Sequence, residues 1–209
     1  MSEYKMTMPQ EVVRIINTLE EHGYEAYAVG GCVRDAMLGR TPEDWDITTS
    51  AKPLEVKALF RKTIDTGLQH GTITVMMNGE GYEVTTYRID GEYEDGRHPK
   101  EVAFTTNLKM DLERRDFTIN AMAWSLDADS FGELVDPFDG MYDLEECIIR
   151  TPCDPDITFS DDPLRMMRAV RFASQLGFTI EEETFDAIRR NAPRIGIVSR
   201  ERIAAELHK

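Results

Sequence analysis

Between Tyr24 and Thr49 the chain reads Tyr24-Glu25-Ala26-Tyr27-Ala28-Val29, then Gly30-Gly31-Cys32-Val33-Arg34-Asp35, and after eight intervening residues Asp44-Trp45-Asp46-Ile47-Thr48-Thr49. Tyr24 to Val29 has the composition of a short strand. Cys32 to Leu38 reads as a helix that Gly39 stops, and Asp46 to Thr49 as a second strand. Two glycines between strand and helix let the backbone approach a ligand closely, and a helix N-terminus offers free N–H groups and a positive dipole end. Arg34, one turn in, would reach a phosphate; the plainer alternative is a tight turn with a surface Arg34–Asp35 pair. Asp44 and Asp46 alternate along an extended segment, so their carboxylates point the same way. Two such carboxylates repel, and a hard divalent cation such as Mg²⁺ removes that penalty. The competing account is a pair of solvated loop acids.

Outward from this stretch, Pro9 to Glu21 carries Val12, Val13, Ile16 and Leu19 at helical spacing, and Pro53 to Phe60 begins with a proline suited to a first helical turn. Thr72 to Met77 and Tyr82 to Ile89 are β-rich and joined by Asn78-Gly79-Glu80-Gly81, a hairpin signal. Asp90 to Pro99 is a polar loop. Leu134 to Arg150 contains a turn, a short helix and a strand at Ile148-Ile149. After Asp154-Pro155-Asp156 the pattern becomes helical: Pro163 to Leu176, Glu181 to Asn191, and Ser199 onward. The expectation is an α/β (α+β) head over residues 1–150 and a helical segment over 151–209. Ser199 suits an N-cap, but no Gly, Asn or Pro closes the final helix, which reads as part of a longer protein.

Composition narrows the classes. The 209 residues are 41% hydrophobic and 30% charged, a globular balance. No apolar run approaches a membrane span, and no secretory leader opens the chain, so a cytoplasmic protein is expected. Cys32, Cys147 and Cys153 contain no CxxC pair, which argues against a disulfide scaffold and a Cys-rich zinc site. The net charge of −15 disfavours a nucleic-acid partner at first sight. Its distribution says more: residues 1–150 carry 15 basic and 29 acidic side chains, whereas residues 151–209 carry 9 and 10.

Three further stretches carry chemistry. In Tyr82 to Arg88, Glu83 alternates with Val84 and offers a third carboxylate from a neighbouring strand, or simply an exposed strand face. Arg114-Arg115-Asp116-Phe117-Thr118-Ile119-Asn120-Ala121-Met122-Ala123 sets two guanidinium groups beside an apolar anchor, a polyphosphate-binding pattern or a surface rim. In Asp161 to Phe172, Arg165, Arg168 and Arg171 recur every third residue as a stripe along a helix, with Leu164, Met167, Val170 and Ala173 expected as its core side. Asp162 fits an N-cap ahead of Pro163.

Taken in order, these stretches resemble the class II tRNA nucleotidyltransferase family, most closely its CCA-adding branch, over about Tyr24 to Lys209. The resemblance implies a polymerase-β-like nucleotidyltransferase head and a helical neck, cut off before the family's body and tail. It implies template-independent addition of CMP and AMP from CTP and ATP to the 3′ end of tRNA. Asp44 and Asp46 match the family's catalytic pair holding two Mg²⁺ ions. Gly30 and Gly31 lie in the matching turn, and Gly31, Arg34, Arg115, Asp162, Arg165, Arg168 and Arg171 match nucleotide-contacting positions. No role is carried onto Glu83. The sequence has Asp161-Asp162 where many members have Glu-Asp, which bears on Asp161 alone. The Gly91 to Pro99 loop is similar to the flexible loop of full CCA-adders; CC-, A- and poly(A)-adding relatives share similar heads.

Base choice has a physical rationale. Cytosine and adenine each present an amino donor beside a ring acceptor, and uracil and guanine present the reverse. An acceptor beside a donor, Asp162 with Arg165, pairs with the first two and leaves unpaired groups against the others, at about 1–3 kcal/mol each. Two other readings fit parts of the sequence. Asp44-Trp45-Asp46-Ile47-Thr48 also satisfies the DxDxT nucleophile loop of dehalogenase-like phosphatases, although no buried apolar strand precedes it. A nucleotide-binding module without turnover shares every binding residue.

Overall fold

Apolar residues in Ala26–Val29 and Ile47–Thr49 are buried almost completely, and these two segments form the centre of a seven-stranded mixed sheet in the computed structural model. The structure describes residues 7–91, 93, 101–126 and 132–209. Of the loop expected over Gly91 to Pro99, only Gly91 and Tyr93 are among them. The chain divides into two compact units. The first comprises Met1–Ile89, Val102–Leu112 and Met122–Pro137; the second comprises Asp90–Glu101, Glu113–Ala121 and Phe138–Lys209.

The first unit contains α1 (Gln10–Glu21), β1 (Ala26–Val29), α2 (Gly31–Met37), β2 (Asp46–Thr49), α3 (Pro53–Leu59), β3 (Thr63–Gly67), β4 (Thr72–Met77) and β5 (Glu80–Thr86). β6 (Arg88–Asp90) and β7 (Val102–Phe104) form a two-stranded ladder, and α4 (Leu108–Glu113) follows. β8 (Ala123–Ser125) and β9 (Glu133–Val135) complete the large sheet, whose order is β3-β4-β5-β2-β1-β8-β9. Every neighbouring pair is antiparallel except β2 with β5, where Ile47 faces Val84, Thr48 faces Thr85 and Thr49 faces Thr86. Helix α1 buries Val12, Ile15, Ile16 and Leu19, a spacing that selects Ile15 over the expected Val13. The hairpin turn is two residues, tighter than expected. Asn78 and Gly79 both have positive φ, at 52° and 87°, the requirement of a type I′ turn.

The second unit contains α5 (Gly140–Glu145), β10 (Ile148–Ile149), α6 (Pro155–Asp161), α7 (Leu164–Leu176), β11 (Thr179–Ile180), α8 (Glu182–Asn191) and α9 (Arg200–Leu207). β10 and β11 pair in parallel. Asp154 accepts a hydrogen bond from the Asp156 amide at 2.9 Å and caps α6 ahead of Pro155, so the Asp154-Pro155 pair starts a helix that the sequence reading passed over. Helix α7 corrects another expectation. It buries Leu164, Met166, Ala169 and Phe172, while Val170 is 56% exposed. Met167 and Val170 instead line an open apolar groove of about 520 Å³ with Ile188, Ile195 and Leu207. A three-residue repeat of apolar positions suits either of two adjacent faces of a helix, and the packing of α7 onto Phe117 decides between them; the Phe117 and Phe172 rings meet edge to face at 5.9 Å.

Candidate functional site

At one end of the sheet of the first unit, the central strands bring three motifs together. Val29, the last residue of β1, pairs with Asp46, the first of β2, so the Gly30-Gly31 turn leaves the sheet beside that carboxylate. Gly30 has φ 81° and ψ −133°, a conformation open to glycine and strained for other residues. Its amide donates to the Met122 carbonyl at 3.1 Å, and its carbonyl accepts the Val33 and Arg34 amides. At Gly31, in contrast, a Cβ would meet only the tip of Arg34 at 3.5 Å, an ordinary contact. The fold itself therefore leaves room for a side chain at Gly31.

Asp44 and Asp46 are exposed on either side of the buried Trp45, which gives the alternation that puts both carboxylates on one side. On the other flank of β2, Glu83 is exposed one residue ahead of the Ile47–Val84 pair, matching Asp46 one residue ahead on its own strand. Asp46 and Glu83 therefore share a face of adjacent parallel strands. Burial raises the Cys32 thiol to about 11, with the Asp46 charge adding to that rise. Arg34 turns back on Asp35: Nε and Nη2 each lie 2.9 Å from Oδ1. The Arg–Asp pair weighed as the plainer reading of this motif is thus present.

Among the described residues no group of three or more His, Cys, Asp and Glu side chains forms a metal cage. The Asp44–Asp46 pair nevertheless suits Mg²⁺, a hard ion that uses one or two carboxylates and takes its remaining oxygens from water and substrate phosphates. The phosphatase alternative does not survive. Asp46 opens a strand instead of following one, so Asp44 lacks the strand end that presents a phosphatase nucleophile.

The second unit carries Arg115, Asp162, Arg165, Arg168 and Arg171. Arg115 is half-buried. Asp162 accepts the Leu164 amide on Oδ1 at 3.1 Å, the capping role expected of it, and the Arg202 guanidinium on Oδ2 at 2.9 Å. Arg165 donates to the carbonyls of Thr158 and Arg114, both at 3.3 Å, and lies 5.9 Å from the Tyr93 ring. Arg168 pairs with Asp116 at 2.9 Å. Arg171 stacks on Phe172 at 4.3 Å and binds Glu206 of α9 at 2.5 Å. The stripe is therefore braced by partners along its length and is not a solvated row.

Three buried acidic groups, one in the first unit and two in the second, carry no signal of their own in the local sequence. Asp111 is fully buried and accepts Thr48 Oγ1 at 3.1 Å and the Arg88 amide at 3.1 Å, beneath the face that carries Asp46 and Glu83. Nothing local distinguishes it from a surface acid of a short helix. Glu206 looks equally ordinary in sequence, yet is 3% exposed. Asp116 accepts the Phe117 amide at 2.7 Å and the Asn120 amide group at 3.1 Å. Burial opposes its ionisation, but the Arg168 charge, the Asn120 hydrogen bond and the Arg165 charge outweigh that and hold its carboxyl below the usual range. Asp161 goes the other way: burial raises it, the charges of Asp90 and Asp162 add to the rise, and Arg165 and Arg194 offset part of it.

A carboxyl lowered in the folded state stabilises the fold above its unfolded pKa, and that contribution is lost as pH falls through the folded value. Urea unfolding of the wild type is therefore expected to show stability from Asp116 at neutral pH that declines below about pH 4. Asp116→Asn should be less stable at pH 7 and should narrow its gap to the wild type as pH falls. A gap independent of pH would contradict the assignment.

Residues 26–150 match the model of the poly(A) polymerase head domain, and residues 177–209 match that of the probable RNA and SrmB-binding site of polymerase A. The chain is 52% identical over 195 residues to a CCA-adding enzyme of Lactiplantibacillus plantarum, covering 93% of the chain and 47% of that enzyme. It is similar in structure to a Bacillus stearothermophilus CCA-adding enzyme in complex with CTP, with a TM-score of 0.86 and 46% identity over 96% of this chain and 48% of the other. A Thermotoga maritima CCA-adding enzyme complexed with tRNA gives a TM-score of 0.80 at 29% identity, over 97% of this chain and 47% of the other. The chain thus spans about half the length of these relatives. Among the described residues no helix is long and apolar enough to cross a membrane.

Proposed function

Because this chain belongs to the poly(A) polymerase head-domain family of class II tRNA nucleotidyltransferases, we propose that it is the catalytic portion of an enzyme that adds CMP and AMP, without a template, to the 3′ end of tRNA in the cytoplasm. The observation that carries this reading is the sheet end where the Gly30-Gly31 turn, Asp46 and Glu83 lie on adjacent strands, with Asp44 two residues before Asp46. A glycine turn beside paired carboxylates suits a nucleoside triphosphate and its metal, and few other ligands need both. The identity to CCA-adding enzymes favours CCA addition over the CC-, A- and poly(A)-adding alternatives.

Each group has a role set by its chemistry. The Gly30-Gly31 backbone admits the triphosphate closely, since neither residue projects a side chain toward it. Asp44 and Asp46 would hold Mg²⁺, two ions, which when bound would supply a lowered pKa for the terminal 3′-hydroxyl and charge neutralisation for the triphosphate and pyrophosphate. Arg34 and Arg115 supply guanidinium donors to the phosphates, Arg34 by exchanging its contact with Asp35. In residues 151–209, taken as the neck beside a head of residues 1–150, Asp162 accepts from the amino group of cytosine or adenine, and Arg165 donates to the adjacent ring nitrogen. Arg168, braced by Asp116, and Arg171, braced by Glu206, complete the nucleotide-facing helix.

The test supplies residues 1–209 with tRNA lacking its CCA end, Mg²⁺ and labelled CTP and ATP, and sequences the products. Ordered addition of two C and one A is expected. Addition of C alone, A alone or an A tract would assign the corresponding relative. No incorporation at high protein concentration, with CTP still bound, would favour a nucleotide-binding module without turnover or a fragment that needs the rest of the enzyme for activity. Whole-tRNA binding by this acidic segment is expected to be weak and to fall steeply with salt.

A further inference from the structure

Helix α9 bears on Asp162 from 40 residues further along the chain. Arg202 Nη2 lies 2.9 Å from Asp162 Oδ2, and the side chains are only 19% and 15% exposed, so the pair is largely shielded from water. Oδ1 of the same carboxylate accepts the Leu164 amide at 3.1 Å. A carboxylate rotates freely about its terminal bond unless donors hold both oxygens. Here two donors from different helices, α7 and α9, hold one oxygen each. An ionised carboxylate offers about four lone-pair sites, so each oxygen keeps acceptor capacity while its direction is fixed. Arg165, the neighbouring donor, does not share this work, because two of its N–H groups go to the carbonyls of Thr158 and Arg114.

We propose that Arg202 is a positioning residue for base selection, fixing the Asp162 carboxylate so that it accepts the amino group of cytosine or adenine and opposes the carbonyl of uracil or guanine. This rests on the reading of Asp162 and Arg165 as the base-reading pair. Discrimination by an acceptor depends on its direction. A carboxylate free to turn away relieves its clash with a carbonyl and also loses its bond to an amino group, so both preferences shrink together.

The simpler account is a clamp between α7 and α9, and the structure shows how to separate the two. Helix α9 has other anchors. Ser199 Oγ accepts the Arg202 amide at 3.3 Å, and Glu206, 3% exposed, binds Arg171 and Lys209. Removing the Arg202 guanidinium therefore leaves α9 docked. Ser199→Ala weakens α9 at its cap without touching Asp162.

The experiment is equilibrium titration of residues 1–209 with CTP, UTP, ATP and GTP in the presence of Mg²⁺. The wild type is expected to bind CTP over UTP and ATP over GTP. Arg202→Gln should shrink both ratios by about tenfold, the worth of one charge-assisted hydrogen bond, chiefly through weaker CTP and ATP. Arg202→Lys, which keeps the charge but not the planar fork, should fall between. Ser199→Ala should lower the melting temperature and leave both ratios intact. Wild-type ratios in Arg202→Gln would overturn the proposal, as would an equal loss in Ser199→Ala. Should the Gln variant fail to fold, the Lys variant decides, and wild-type ratios there overturn it. A wild type that binds all four nucleotides alike would remove the base-reading assignment itself. A discriminating wild type with an equally discriminating Arg202→Gln variant would remove only the role of Arg202.

Discussion

Asp46→Ala is expected to cut CMP and AMP incorporation by about a thousandfold or more, because a divalent ion at the reacting phosphate stabilises the transition state by several kcal/mol. Asp44→Ala should behave similarly. Both side chains are exposed, while the neighbouring Trp45, Ile47, Thr48 and Thr49 carry the packing. The melting temperature should accordingly move by no more than about 2 °C, as for surface substitutions in a domain of this size. Trp45 between the two carboxylates supplies a second readout: Mn²⁺ or Mg²⁺ should change its fluorescence in the wild type and not in Asp44→Ala/Asp46→Ala. Wild-type turnover in Asp46→Ala would remove the carboxylate pair from the chemistry. A fluorescence response that survives in the double variant would place the ion elsewhere. Glu83→Gln is the informative companion, since Glu83 shares the face of Asp46 on the adjacent strand.

The second large effect is on selectivity. Asp162→Ala should lower discrimination of CTP against UTP, and of ATP against GTP, by about tenfold to a hundredfold, the value of one buried mismatched polar group at 1–3 kcal/mol. The residue also caps α7 and pairs with Arg202, so the variant should lose some stability as well. Asp154→Ala supplies the comparison, because Asp154 caps α6 through the Asp156 amide and has no assigned part in base reading. Comparable loss of stability with unchanged selectivity is expected there. Competition between CTP and UTP for incorporation, or their separate binding constants, measures the effect. Undiminished discrimination by Asp162→Ala would end the proposal that one side-chain pair replaces a template.

Both predictions rest on residues visible before any coordinates. The Gly30-Gly31 turn, Asp44-Trp45-Asp46 and the Asp162-to-Arg171 stripe are local patterns whose chemistry follows from spacing of a few residues. Strand β2 lies where its alternation placed it, at Asp46–Thr49, and the Asn78-Gly79 turn is marked by the residues that tolerate positive φ. β3 escaped notice because Ile64 is its only large apolar residue and the strand is mostly exposed, an edge strand without apolar alternation. β8 and β9 are three residues each, too short for a period to register.

The two-strand core with its glycine turn, the carboxylate pair, the arginine helix and the family they belong to are legible in the chain alone, because each is written in neighbouring residues and in backbone preferences. Long-range packing settled which face of α7 is buried. It also decided that Glu83 stands beside Asp46 across a parallel seam, and that Asp116, Glu206 and Arg202 brace Arg168, Arg171 and Asp162. Those partners lie between 35 and 52 residues apart in the chain. Their pairing is set by packing, which brings the charges together at partly buried positions, and no local preference encodes that.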